Sequence, residues 1–108
     1  MYGTLYHLRP RMGKEQAALD HLFRWEQEYL PRVTGYVGGY VLEPEAAYNA
    51  ASYSIIVMVV FETQEAYAQH LEDPIQESWD RHLHELLQYN PEGHEGEITA
   101  LFREARGI

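Results

Sequence analysis

The chain contains no cysteine, which excludes disulfides, thiolate nucleophiles and Cys-based zinc or iron–sulfur centres. Basic residues are scarce too: eight Lys and Arg stand against seventeen Asp and Glu, for a formal net charge of −9. That deficit argues against a phosphate backbone as partner, because non-specific nucleic-acid binding is mainly neutralisation by Lys and Arg. It argues equally against anionic membrane surfaces. No apolar run approaches bilayer-spanning length, and the stretch Met1 to Pro10 lacks the apolar core of a signal peptide. A soluble, cytoplasmic protein is expected. Also missing are a Gly-rich phosphate loop, a His-Glu-x-x-His pair and a nucleophile elbow. Six His are present, but no two sit at a helical four-residue spacing with a carboxylate as third partner. No metal site is expected.

With 108 residues the chain makes one domain, 1–108, with room for a single core. Its most informative stretch runs from Ile55 to Phe61 without a polar residue. As a strand it directs Ile55, Val57, Val59 and Phe61 to one face and Ile56, Met58 and Val60 to the other. A strand that is apolar on both faces needs both covered. The flanking pattern does not support a parallel sheet, so the economical cover for the second face is another copy of the chain.

Around that strand the pattern is regular. Tyr2 to Arg9 alternates as a strand and stops at Pro10. Lys14 to Leu30 reads as a helix, with Ala18, Leu19, Leu22, Phe23, Trp25, Glu26, Tyr29 and Leu30 recurring at steps of three and four. Pro31 ends it. Val37 to Leu42 is a second strand, and residues 43–52 form a connecting loop. After Phe61, Thr63 serves as N-cap of a short helix whose inward face holds Ala66, Tyr67, His70 and Leu71. Asp73-Pro74 starts another helix, with Asp73 as cap and Pro74 at the first helical position. Ile75, Trp79, His82, Leu83 and Leu86 form its stripe. A last strand is expected over Glu97 to Phe102, followed by a frayed tail. The order βαββαβ gives an α+β, ferredoxin-like chain with a four-stranded antiparallel sheet and helices on one face. The open face then pairs with that of a second copy, making a dimeric α+β barrel.

Chemistry has few places to reside. His82 shares a stripe with Trp79 and Leu86, and is either a neutral core histidine or a general base in a pocket. His70 presents the same choice. His7, on the strand face opposite Tyr6, belongs to the sheet–sheet interface or its rim. Arg81 is a surface ion-pair partner of Asp80 or Glu77 unless its fork reaches a pocket, where it would hold a carboxylate or a developing oxyanion. Tyr67 is core filler or part of that pocket.

The segment Phe61-Glu62-Thr63-Gln64-Glu65-Ala66-Tyr67, followed by Leu71, Asp73-Pro74 and a helix carrying Trp79, resembles the antibiotic biosynthesis monooxygenase family. The resemblance spans the first strand to about Phe102 and implies a sheet-to-sheet homodimer. It implies oxygenation of electron-rich polycyclic phenols or quinols without metal, flavin or haem, so no cofactor is expected. In such enzymes the deprotonated substrate itself passes an electron to oxygen, and the protein supplies an apolar pocket and groups that stabilise an anion. The family's site Tyr and Arg fall on Tyr67 and Arg81. Its Trp and Asn positions hold Phe61 and Val57, neither of which donates a hydrogen bond; Tyr6, Trp79 and His82 are candidates to replace those donors. The haem-degrading branch fits less well, with Tyr6 or Thr4, Phe61 and Trp79 near its Asn, Trp and His. The implied assignment is Arg81 and Tyr67 on the oxyanion, His82 as proton acceptor, and Phe61 and Trp79 on the ring, with Tyr6, Val57 and His70 also lining the site. The alternative is a non-catalytic small-ligand-binding or structural dimer of the same fold, favoured by the donors lost at Val57 and Phe61.

Overall fold

A computed structural model describes residues 1–43 and 54–99. Strand β1 (Tyr2–Leu8) leads into helix α1 (Glu15–Glu28), a 3-10 turn at Leu30–Arg32, strand β2 (Tyr36–Leu42) and strand β3 (Ile55–Phe61). Helices α2 (Gln64–Leu71) and α3 (Pro74–Leu86) follow, and strand β4 (Glu92–Glu97) completes the sheet. The four strands lie in the order β2-β3-β1-β4 with antiparallel pairings, the ferredoxin-like arrangement. The connecting loop expected over 43–52 lies outside the described residues from residue 44 onward, as do residues 100–102 of the expected last strand and the tail beyond.

β3 behaves as its composition requires. Ile55, Val57, Val59 and Phe61 are buried toward the helices, while Ile56, Met58 and Val60 are only half-buried on the opposite face. Antiparallel pairing puts Tyr2, Thr4, Tyr6 and Leu8 of β1 opposite Phe61, Val59, Val57 and Ile55, so these side chains share the helix-facing side. Leu5 and His7 pair with Met58 and Ile56 on the open side, where Tyr40 and Leu42 of β2 also stand, each about half exposed.

The caps fix the helices in place. Thr63 Oγ1 accepts from the Ala66 amide at 3.1 Å and Asp73 Oδ1 from the Ile75 amide at 2.9 Å, satisfying first-turn donors. α1 ends at Glu28, two residues before the expected Leu30, and Leu30 opens a 3-10 turn that carries Pro31. Gly35, at φ +85°, makes the reversal into β2, and an added Cβ would lie 2.5 Å from Cβ of Ala66.

Two expectations need correction. The last strand is Glu92–Glu97, not one beginning at Glu97: a fully exposed run of Glu, Gly and His on the sheet edge, whose strand character comes from its pairing with β1. α3 is also turned about its axis by roughly half a residue step. Its inward side is Gln76, Trp79, Asp80, Leu83 and Leu86, leading into buried Leu87, while Ile75 is 57% exposed and His82 is exposed. Polar Gln76 is buried because it is satisfied: it accepts from Trp25 Nε1 at 2.7 Å and donates to Asp80 at 3.0 Å.

Candidate functional site

Between the helix-facing side of β1 and β3 and helices α1, α2 and α3 lies a cavity of about 210 Å³. Val57, Val59 and Phe61 form its floor, and Trp25, Trp79 and Leu83 stand in its walls. Phe61 is completely buried and has its ring 5.6 Å from Tyr67 and 5.1 Å from His70. The cavity is therefore aromatic over much of its surface, with a few polar groups placed among the rings.

The first polar group is a hydroxyl pair. Tyr6 reaches from β1 and Tyr67 from α2 to meet at 2.8 Å. Gly93 makes this possible on the β4 side, since a Cβ there would come within 2.8 Å of the Tyr6 ring. Burial first, and the Tyr6 hydroxyl second, push the Tyr67 phenol well above its ordinary value of 10. Tyr67 is thus a hydrogen-bond donor and not a base. Thr4 Oγ1, buried beside it, lacks a well-formed hydrogen bond.

The second is His70, which is 5% exposed. Its Nδ1 lies 3.3 Å from the Tyr29 hydroxyl, and that hydroxyl donates to Asp73 Oδ2 at 3.0 Å. Loss of hydration brings the imidazole from 6.5 down to about 4, against a smaller upward pull from the Asp73 carboxylate. The third is a cluster from α1 and α3. A ring nitrogen of His21 lies 3.0 Å from the Trp79 carbonyl oxygen, and Asp80 is held above its ordinary value by burial. The lining includes no Arg or Lys among the described residues.

Six of the residues singled out in the sequence come together here: Tyr6, Val57, Phe61, Tyr67, His70 and Trp79 all line the cavity. Arg81 and His82 do not. The turn of α3 that brings Asp80 inward carries its neighbours outward, so the Arg81 side chain is 70% exposed, 3.4 Å from Glu77 in an i,i+4 pair. His82 is exposed, its ring 4.8 Å from that of His21. The sequence reading overlooked His21 and Gln76 as lining residues and Tyr29 as the partner of His70. His21 had a legible signal, since it lies three residues beyond Ala18 and four before Trp25. Gln76 had none that apolar periodicity could reveal.

No protein-family model matches the sequence, and no curated protein does. Solved structures match over nearly the whole chain. A cofactor-independent oxygenase, SnoaB of Streptomyces nogalater, solved as a single-residue variant, superposes with a TM-score of 0.78 at 14% identity, covering 95% of this chain and 97% of its own. A Nitrosomonas europaea protein provisionally named an antibiotic biosynthesis monooxygenase gives 0.74 at 17% identity, over 93% of this chain and 100% of its own. One from Chloroflexus aurantiacus with the same provisional name gives 0.71 at 18%, over 94% and 96%. At these identities the likeness is one of fold: the chain has the fold of the antibiotic biosynthesis monooxygenases.

Proposed function

We propose that this protein is a cofactor-independent, monooxygenase-like enzyme acting on a small phenolic or quinol-type aromatic, and that it works as a homodimer joined through the open faces of its sheets. The observation that carries the reading is the cavity itself, an apolar, aromatic-walled chamber under the sheet with one hydroxyl pair aimed into it. The fold shared with a cofactor-independent oxygenase adds support.

In the proposed reaction the ring lies between Phe61 and Trp79, with an oxygen substituent at the Tyr6–Tyr67 pair. The two hydroxyls carry two protons and use one between themselves, so one remains to donate to the substrate oxygen. As the substrate gives up its own proton and passes electrons to dioxygen, that donor meets the charge growing on the oxygen. One oxygen atom enters the product, and the other leaves as water with the two hydrogens that the substrate loses as it is oxidised. Val57 and Val59 keep the chamber floor apolar. The dimer rests on the opposite side of the sheet, where Leu5, Ile56, Met58, Val60, Tyr40 and Leu42 leave a contiguous apolar face uncovered.

One observation favours a second reading, a dimer that binds an aromatic ligand without turnover: among the described residues the lining holds no guanidinium or ammonium to meet an anion. Oxygen uptake by purified protein with a panel of one-ring quinols and phenols, without added metal or flavin, separates the two. The oxygenase reading expects uptake above autoxidation that falls at least about tenfold in Tyr67→Phe. Saturable binding of the same compounds with uptake no faster than autoxidation establishes the binding reading instead.

A further inference from the structure

We infer that His70 Nε2 accepts the hydroxyl of a neutral, one-ring phenolic ligand, and that Tyr29 and Asp73 are positioning residues that fix the imidazole in the Nδ1–H tautomer. This rests on the cavity being the substrate site, and it names the chemistry that site selects.

The argument is an inventory of protons. Asp73 Oδ1 is occupied by the Ile75 amide and Oδ2 by the Tyr29 hydroxyl, so the carboxylate accepts on both oxygens. Tyr29 has one hydroxyl proton, and it points to Asp73. Toward His70 Nδ1 at 3.3 Å the Tyr29 oxygen can then only accept, so Nδ1 carries the ring proton. The imidazole stands among Phe61, Tyr29, Tyr67 and Trp25, with ring centres 5.1 to 6.5 Å away, surroundings that favour its neutral form. A neutral ring protonated at Nδ1 has a lone pair at Nε2, and among the described residues the ring's one hydrogen bond is at Nδ1.

His70 lines the cavity, and with Nδ1 turned to Tyr29 its Nε2 would serve there as the acceptor beside the donor of the Tyr6–Tyr67 pair; together they match a group that both donates and accepts. A hydroxyl does so and an ether does not. The charge inventory agrees: among the described residues Asp80 lines the chamber and no Arg or Lys does, so a carboxylate or phosphate would find no guanidinium or ammonium there. Size narrows the ligand further. A volume of about 210 Å³ is near the roughly 150 Å³ that accommodates benzene and below the roughly 300 Å³ at which drug-sized pockets begin. One ring with small substituents fits; a fused polycycle does not.

Two measurements test this. Long-range ¹H–¹⁵N spectra report the tautomer of each histidine without any ligand. At pH 7 His70 should be the Nδ1–H form, and Tyr29→Phe should shift it toward the Nε2–H form that free imidazole prefers. Titration with phenol and with methoxybenzene, followed by NMR, then reads the acceptor. Phenol should bind at least about tenfold more tightly, and Tyr29→Phe should abolish that preference while leaving methoxybenzene affinity unchanged. A purely structural role for Tyr29 would weaken both ligands alike. An Nε2–H tautomer in the unmodified protein, or equal affinity for the two ligands, overturns the inference and leaves the cavity as a binding site. Failure of both ligands to shift any cavity resonance refutes the cavity as the substrate site, and this inference with it.

Discussion

Acid titration of the folded protein tests the buried imidazole directly. His70 goes from 6.5 to about 4 on folding, chiefly because the ring loses its hydration. The unfolded chain therefore takes up a proton at this site as pH falls below 6.5, whereas the folded chain resists until about 4. Stability linked to His70 is fully present above pH 6.5, declines as pH falls through the window and is lost below about 4. At roughly 1.4 kcal/mol per pH unit the loss amounts to about 3 kcal/mol at most, and less where cavity water reaches the ring. His21, also lowered by burial, adds a change of the same sign, while Asp80, raised by burial, opposes it. The measurement is accordingly a difference. Urea unfolding of the unmodified protein and of His70→Gln, from pH 7 to pH 4, should diverge by about 2 to 3 kcal/mol, the unmodified protein losing more. Asp73→Asn removes the one charge that holds the imidazole up, so its loss should extend to lower pH. Parallel curves for the unmodified protein and His70→Gln would show that the ring ionises freely when folded, and the account of a buried neutral His70 would fall.

Adjacent residues of β3 should separate assembly from folding. Met58→Asp, on the open face, is expected to give a folded monomer in sedimentation, whereas Val59→Asp, buried under the helices at 3% exposure, should abolish the folded circular-dichroism signal. A monomeric unmodified protein at low micromolar concentration would remove the sheet-to-sheet dimer. At Arg81, an exposed i,i+4 pair with Glu77 contributes about 0.5 kcal/mol or less. Arg81→Ala should leave thermal stability within a degree or two and any oxygen uptake intact, and loss of uptake would return the guanidinium to the site.

The half of the site built by the sheet and α2 was legible in the sequence because its orientation is fixed by local rules. Alternation along β1 and β3 determines which side chains face the helices, and Thr63 sets where α2 begins and so which way Tyr67 and His70 point. Hence Tyr6, Val57, Phe61, Tyr67 and His70 line one chamber as their spacing implies. β4 was illegible for the opposite reason. Glu-Gly-His-Glu-Gly-Glu carries no apolar alternation, and its strand conformation comes from the unpaired edge of β1 that it completes.

α3 marks where apolar periodicity stops being a reliable guide, and the failure follows from chemistry. Counting apolar residues selects Ile75, Trp79, His82, Leu83 and Leu86 as the buried stripe; burial of Gln76 requires a partner that lies far away in sequence. Trp25 on α1 provides one, and Gln76 in turn satisfies Asp80. This chain of hydrogen bonds offsets the desolvation of both groups and turns the helix away from its apolar optimum. The same turn carries Arg81 and His82 to the surface and places a carboxylate in the chamber wall. An inward Arg81 would suit an anionic ligand; an inward Asp80 disfavours one. The side chains that reveal what this cavity accepts are thus the ones whose positions depend on a tryptophan 51 residues away in sequence.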